Sequence, residues 1–517
     1  MALDDLTKAI LAGRYWTPSG HGATVSYRVE GQNVVDQFGR ESLQIDQDML
    51  TAVQLVLEEF AKVANVVFEY KPDTTNDPSN PFTTGNDGPV DITYAFAYDP
   101  EIFFGKPYDI FVTADPEQSE GPQMKSATIS VNELQYVGND LMPSATDHAF
   151  NSLMNTTGIA MGLAWGRGIE EEGFIPGEAE EPQSDIPSAF GDITDTPLVL
   201  SRDTGSMDHT LMTQMRLYGS ETTVGGNPLT LQYLDIKALQ HLYGVNETYN
   251  SGDTVYSYNG DQRSETIWDG AGNDTLDFSA LTVGINATLT EDFNNVISAG
   301  SSRIWIAEGA NIENLDGGSA GDIISGSSLA NVLRGLSGND GIDGRDGNDI
   351  INGNAGNDTV DGGTGNDVLR GGRDDDLIDS DLGDDFANGN LGNDTVLGQT
   401  GSDTLRGGQG DDQINGSSGS DHLYGDLGND TLTGGADGDV YYFKAGQGVD
   451  VIVDFAGAGA AEGDIIMIES DFLSGNLDNI LLQLSTFGPD SFINFGDGNI
   501  VTIQGVTGLT VDDFALF

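Results

Sequence analysis

From Asp322 to Asp439 the chain returns an aspartate every nine residues. Asp322, Asp340, Asp349, Asp358, Asp367, Asp376, Asp385, Asp394, Asp403, Asp412, Asp421, Asp430 and Asp439 hold that register, and Asn331 fills its one gap. Two residues after each comes an apolar side chain, as in Ile324, Leu333, Ile342, Ile351, Val360 and Leu369, with Ala387 as the smallest. Glycine usually stands two before the aspartate and four after it, as in Gly356, Asp358 and Gly362. A Gly/Asp-rich chain of low complexity has no reason to keep register over such a length. The period instead demands short strands that each turn one apolar side chain inward, stacked into a narrow solenoid. Two nonapeptides complete one coil, so aspartates eighteen residues apart, such as Asp340 and Asp358 or Asp349 and Asp367, become neighbours. At a strand spacing of about 4.8 Å, seven such coils stack to roughly 34 Å.

The chemistry of the turns follows from their residues. Glycine reaches backbone angles closed to other residues and bares its carbonyl oxygen. Aspartate adds carboxylate oxygens, and calcium, a hard cation, takes about six to eight oxygen ligands. The pattern GGxGxDxUx resembles the calcium-binding nonapeptide of RTX proteins. The resemblance implies a parallel β-roll that holds several calcium ions between aspartates of adjacent coils. An isolated turn of the same type, WDGAGNDTLDFSA, carries Asp269 and Asp274 ahead of the main run.

Acidic residues number 83 against 20 basic ones, for a formal charge of −63. Such a field repels nucleic acid and resists compaction until cations neutralise it. No nucleic-acid partner is expected. The absence of cysteine excludes disulfides and thiolate metal sites. No run approaches the length of a membrane-spanning helix, and the N-terminal MALDDLTKAILAGRYW does not read as a cleaved leader.

Ahead of the repeats the patterning changes. ATVSYRVEG reads as a strand, and Met49, Leu50, Val53, Leu57, Phe60 and Val63 share one face of a helix over about Gln47 to Asn65. NVVFEY, DITYAFAY, YDIFVTA and SATISVN read as further strands. A second helix is expected over Ala145 to Leu163, followed by the solvated acidic loop GIEEEGFIPGEAEEPQSD, and a third over Leu231 to Gly244. After the repeats, DVIVDF, DIIMIE, NILLQL, SFINF and NIVTIQGV read as strands. The expected fold is an α+β domain over 1–250, a lead-in to the β-roll over 251–320, the roll over 321–440 and a β-rich C-terminal domain over 441–517.

This order of segments resembles that of the serralysins, secreted zinc metalloproteases of the metzincin group. The likeness rests on YLDIKALQHLYGVN, on GDTVY and WDGAGNDTLDFSA, on ANIENLDGGSAGDIISGSSLANVL and on the terminal DDFALF. It implies a metzincin-like N-terminal domain, then an all-β domain with an RTX roll. It also implies export by the type I secretion apparatus of a Gram-negative bacterium, with folding outside the cell.

The family's HExxHxxGxxH motif supplies three histidines to zinc and a glutamate base, with a methionine turn beneath. Here the corresponding stretch is NTTGIAMGLAW. Asn155 stands at the first ligand, Thr156 at the base, Ile159 at the second ligand and Trp165 at the third, while Gly162 is kept. Met212 matches the methionine, and Gln214 replaces the family's tyrosine. Isoleucine and tryptophan offer zinc no donor, and threonine cannot accept a proton near neutral pH. Without the metal no water is activated. The five histidines, His21, His148, His209, His241 and His422, form no HxxxH pair.

The expectation is therefore a secreted calcium-binding pseudoprotease without zinc, whose N-terminal cleft holds a peptide, a glycan or a protein. One alternative is an active metalloendopeptidase with displaced ligands such as His148, His209 and Asp147. Another is a structural or adhesive surface protein.

Overall fold

The computed structural model describes residues 23–31, 47–64, 66–70, 92–97, 110–114 and 127–132, and the chain from 231 to 517 apart from 261–262, 292–294, 458–462 and 474–475. In the first part, β1 (Ala23–Gly31), β2 (Val66–Tyr70), β3 (Ile92–Ala97), β4 (Ile110–Ala114) and β5 (Ala127–Asn132) form one sheet in the order β2-β1-β3-β5-β4. All neighbours are parallel except β4, which runs antiparallel to β5 at the edge. Helix α1 (Gln47–Val63) buries Val53, Val56, Leu57, Phe60 and Val63, the stripe that a period of 3.6 residues puts on one side. The expected helix over 145–163 and its acidic loop lie outside the described residues.

Helix α2 (Tyr233–Tyr243) opens on a capping box in which Asp235 accepts the Gln232 N–H at 3.1 Å. It leads into the solenoid. Asn246 Nδ2 donates to the Ala61 carbonyl at 2.6 Å, the Tyr233 hydroxyl donates to Glu291 O at 2.9 Å, and Lys237 pairs with Glu308 at 2.5 Å. These bonds tie α1 and α2 to the first turns of the all-β part.

That part consists of two facing sheets of fifteen and twelve strands between Val255 and Leu516. Through the repeats the chain alternates between them, and successive visits to one sheet pair parallel with an offset of eighteen residues, whereas the preceding Ile285–Thr288, Ile297–Ala299 and Ser302–Ile306 follow one another antiparallel in the fifteen-stranded sheet. In the twelve-stranded sheet Leu333, Ile351, Leu369, Ala387, Leu405, Leu423 and Tyr441 lie in one row. Ile324, Ile342, Val360, Ile378, Val396, Ile414 and Leu432 form the matching row opposite. All are at most 2% exposed. Each contributes about 1.5–3 kcal/mol of burial, less at Ala387, so a two-row core holds the stack together.

Past Asp439 the offsets grow. Tyr441 pairs with Ile466 and Ile466 with Phe514 in one sheet, and Leu432 with Ile452 and Ile452 with Ile503 in the other. Antiparallel strands Leu484–Phe487, Asp490–Gly496 and Asn499–Ile503 finish the second sheet. One sequence expectation fails here. NILLQL is not a strand: Leu477–Leu482 is a 3-10 helix whose cap, Asn476, accepts the Asp478 N–H at 3.1 Å, and the strand begins at Leu484. The local Asn-x-x turn geometry overrides the apolar run that suggested extension. Among the described residues no helix is long and apolar enough to cross a membrane.

Candidate metal centre

Every repeat aspartate is buried, at 4% exposure or less. The stacking dictates what each does with its first carboxylate oxygen. Oδ1 accepts the backbone N–H of the aspartate eighteen residues earlier: Asp322 donates to Asp340, Asp340 to Asp358, Asp349 to Asp367 and Asp358 to Asp376, each at 2.8 Å. The ladder continues through Asp385, Asp394, Asp403, Asp412, Asp421, Asp430 and Asp439. The pairs inferred from the spacing are thus neighbours.

The second oxygen has no such partner. Oδ2 of Asp340, Asp349, Asp358, Asp367, Asp376, Asp385, Asp394, Asp403, Asp412, Asp421, Asp430 and Asp439 is buried without a hydrogen-bond donor. The glycine five residues before each aspartate makes its room. A Cβ built on Gly344 would stand 2.5 Å from both Asp349 Oδ2 and the Gly362 carbonyl oxygen of the next coil. One on Gly362 would stand 2.7 Å from Asp367 Oδ2 and 2.9 Å from Ser380 O. A carboxylate oxygen and a carbonyl oxygen therefore share the space a side chain would fill. Ser380 is the exception among these glycines, and its hydroxyl is itself buried without a partner.

Electrostatics agree with this reading. Burial raises the carboxyls of Asp340, Asp358, Asp394 and Asp430 to about 6 and those of Asp349, Asp385, Asp403, Asp412 and Asp439 to about 7. Asp376 goes furthest, to about 8, through burial with repulsion from Asp394, Asp358 and Asp374 added. Buried anions at this spacing need a counter-charge.

At its ends the ladder is closed by protein groups. Asn331 keeps the register, but its Oδ1 accepts the Ser327 N–H at 2.8 Å and its Nδ2 donates to Glu313 O at 3.0 Å. Asp322 accepts the Gly318 and Ile285 N–H groups. At the far end Asp450 accepts the Asp430 N–H at 3.1 Å, and Asp464 accepts the Asp439 and Ala456 N–H groups at 3.0 and 2.7 Å. Asp450 and Asp464 belong to the ladder although the nine-residue register does not reach them. Each keeps the D-x-U signature, with Ile452 and Ile466 as U.

A second ladder lies beside the first, and the spacing of the aspartates does not predict it. The residue just before the aspartate receives a bond from the next coil: Asn366 N–H donates to Asn348 Oδ1 at 3.0 Å, Asp411 to Asn393 and Asn393 to Asp375 both at 2.8 Å. Frequent GND triplets are its visible sign in the sequence.

In the isolated turn, Asp274 Oδ1 accepts the Thr254 N–H at 2.8 Å, its Oδ2 is buried without a partner, and Asp269 accepts the Tyr256 hydroxyl at 2.7 Å. Burial and the neighbouring Asp269 charge bring Asp274 to about 6.

Between Asp340 and Asp439 two turns depart from the pattern. Asp374 and Asp437 stand where the other turns of that stretch have the glycine two before the aspartate, and both hold left-handed backbone, at φ 74° and 77°. The adjoining turn bonds lengthen: Gly356 N–H to Arg373 O is 3.3 Å and Gly419 N–H to Ala436 O is 3.2 Å, against 2.8 Å for Gly347 to Thr364.

Among the described residues no three His, Asp or Glu side chains converge on one point. That is consistent with the ladder, in which each nonapeptide offers one buried repeat carboxylate beside backbone carbonyls. Orphaned buried oxygens, a glycine cradle and an all-oxygen donor set fit a hard divalent cation. The positions Asn155, Thr156, Ile159, Trp165, Met212 and Gln214, with Asp147, His148 and His209, lie outside the described residues.

The family described as RTX calcium-binding nonapeptide repeat matches residues 259–277 and overlapping stretches from 316 to 452. Metalloprotease AprA of Pseudomonas entomophila (strain L48) is 37% identical over 103 residues, covering 17% of this chain and 21% of that protein. Serralysin of Photorhabdus sp. (strain Az29) is 26% identical over 297 residues, covering 54% of this chain and 53% of that protein. The repeat region is thus made of RTX calcium-binding nonapeptides, and parts of the chain are similar to serralysins. RTX repeats bind calcium, which is the cation the oxygen ladder fits. The chain spans about half or less of the length of these relatives. Among solved structures, the extracellular lipase LipA from Serratia marcescens aligns over 48% of this chain and 45% of that one, at 19% identity and a TM-score of 0.17.

Proposed function

We propose that this chain is a secreted, calcium-dependent RTX protein of serralysin architecture whose N-terminal domain binds without cutting. The observation that carries the calcium reading is the unbroken series of orphaned Oδ2 atoms from Asp340 to Asp439. In this reading those aspartates, with Asp274 and Asp269 in the outlying turn and Asp322 at the head of the run, hold calcium between coils through carboxylate and glycine carbonyl oxygens. The ions neutralise the buried charge, so the roll folds only where calcium is abundant. Type I export from a Gram-negative cell, unfolded inside and folded in the medium, follows from that coupling.

The loss of protease chemistry rests on the donor set. A metzincin-like fold over 1–250 would present Asn155, Ile159 and Trp165 to the metal and Thr156 as base. These residues do not fit catalytic zinc, which takes three protein ligands and keeps a fourth position for water. In this reading the domain binds a peptide, a glycan or a protein without cleaving it.

Elemental analysis of the full chain purified in calcium tests both parts. Several calcium ions per chain and no zinc are expected, with no casein cleavage. Near-stoichiometric zinc with phenanthroline-sensitive cleavage would overturn the pseudoprotease reading, and loss of that cleavage in His148→Ala or His209→Ala would point to displaced ligands.

A further inference from the structure

The outer faces of the two sheets differ in charge. Residues one past the buried apolar position point away from the core. In the fifteen-stranded sheet they include the in-register row Asp343, Asp361 and Asp379. In the twelve-stranded sheet the row reads Arg334, Asn352, Arg370, Asn388, Arg406, Tyr424 and Tyr442. A chain with only 20 basic residues thus places arginine on every second coil of one face.

This face holds a groove of about 720 Å³, lined by Asn352, Asn354, Arg370, Arg373, Asn388, Asn390, Arg406 and Gln409 among others. Arg406 is fixed at one end. Its guanidinium meets both oxygens of Asp426 at 2.9 and 3.0 Å and lies over the Tyr424 ring, which stacks on Tyr442 at 4.2 Å. Arg334, beyond the other end, pairs with Asp316 at 2.8 Å. Between them the Arg370 and Arg373 side chains have no ion pair or hydrogen bond among the described residues. Two unpaired guanidiniums therefore sit among amides that donate and accept in fixed planes.

We propose that this groove binds an acidic polysaccharide whose sugars carry carboxylates, lying along the axis of the roll. Guanidinium forks match carboxylates in two-point hydrogen bonds. The amides of Asn352, Asn388 and Gln409 suit sugar hydroxyls, which also both donate and accept. The groove crosses five strands, or about 19 Å, and an extended 1,4-linked sugar chain advances by a step similar to the strand spacing. Arg370 and Arg373, the two guanidiniums left unpaired, take the sugar carboxylates, while Arg406, held by Asp426, closes one end of the groove. A second copy presenting its aspartate row is the other occupant the charges allow. The amide-rich lining favours the glycan, because a carboxylate row alone offers those amides too few partners. This inference does not depend on the calcium assignment, beyond needing a folded roll.

The test is binding of short oligogalacturonides to the full chain in calcium, by calorimetry, with neutral oligoglucan as control. Saturable binding is expected, weakened at least about tenfold in Arg370→Ala/Arg373→Ala and by a smaller factor in Asn388→Ala, where no charge is lost. Asp343→Asn/Asp361→Asn should leave it unchanged, which separates the groove from calcium bridging at surface acids. Circular dichroism in calcium keeps folding defects apart from binding defects. No binding by the wild type, equal binding by the arginine variant, or binding that instead follows the Asp343/Asp361 variant would overturn the proposal. So would a concentration-dependent dimer in sedimentation that is lost in the arginine variant.

Discussion

The backbone N–H of Asp358 donates to Oδ1 of Asp376 at 2.8 Å, and Oδ2 of Asp376 is buried without a donor. One oxygen fixes the register of two coils, and the other is left for a cation. Asp376→Asn keeps an acceptor for the Asp358 N–H and removes the charge. Without calcium the variant should be the more stable of the two by thermal melting in chelator. With calcium its folding midpoint should move up by a factor of roughly two to ten, or about 0.4–1.4 kcal/mol. An unchanged midpoint would argue that this rung holds no ion.

The raised carboxyls set the pH response of the metal-free roll. Asp349, Asp385, Asp403, Asp412 and Asp439 sit near 7 when folded, against the ordinary aspartate value near 3.8. The folded state therefore binds more protons than the unfolded one between these values. Stability is greatest at the acid side of that window and is lost as pH rises through it to about 7. In chelator, strand signal in circular dichroism should be stronger at pH 5 than at pH 7.5. Saturating calcium should reverse the order, since protons and calcium compete for the same oxygens.

Two glycines three residues apart separate packing from flexibility. A Cβ on Gly344 would stand 2.5 Å from Asp349 Oδ2 and from Gly362 O, whereas nothing lies within 4 Å of one on Gly341. Neither has positive φ. Gly344→Ala should raise the calcium midpoint and destabilise the roll by about 1–3 kcal/mol. Gly341→Ala should be neutral or stabilise by up to about 1 kcal/mol, since it restricts only the unfolded chain. Equal effects would remove the cradle from the explanation.

Asp374→Gly should repair a flaw. The substitution relieves left-handed backbone at φ 74° and takes away a charge that raises both Asp358 and Asp376. A gain of about 1 kcal/mol is expected in calcium melts, partly offset by glycine's freedom in the unfolded chain. Destabilisation would mean that the Asp374 carboxylate contributes to a site.

The nine-residue register makes the roll legible in the sequence alone, down to which aspartates meet. It does not reveal Asp450 and Asp464, because inserted loops stretch their offsets to 20 and 25 residues while the D-x-U unit survives. NILLQL misleads because an apolar run does not distinguish a strand from a 3-10 turn when Asn476 supplies a cap. The arginine face is written at a spacing of 36 residues, which acquires meaning only once two nonapeptides are folded into one coil. In the N-terminal part the alternation of NVVFEY and the 3.6-residue stripe of α1 are readable because each buries one side.

Asn331 gives the stack a preformed coil at its start. Its amide already holds Ser327 N–H and Glu313 O, so the coil around it keeps its shape before any ion arrives. In the proposed calcium-coupled roll each later coil waits for the ion, yet finds a finished edge beside it on which to lay its strand. A chain folding in calcium therefore has a template at that end of the column, and assembly becomes a matter of adding rungs instead of nucleating a new stack at every turn.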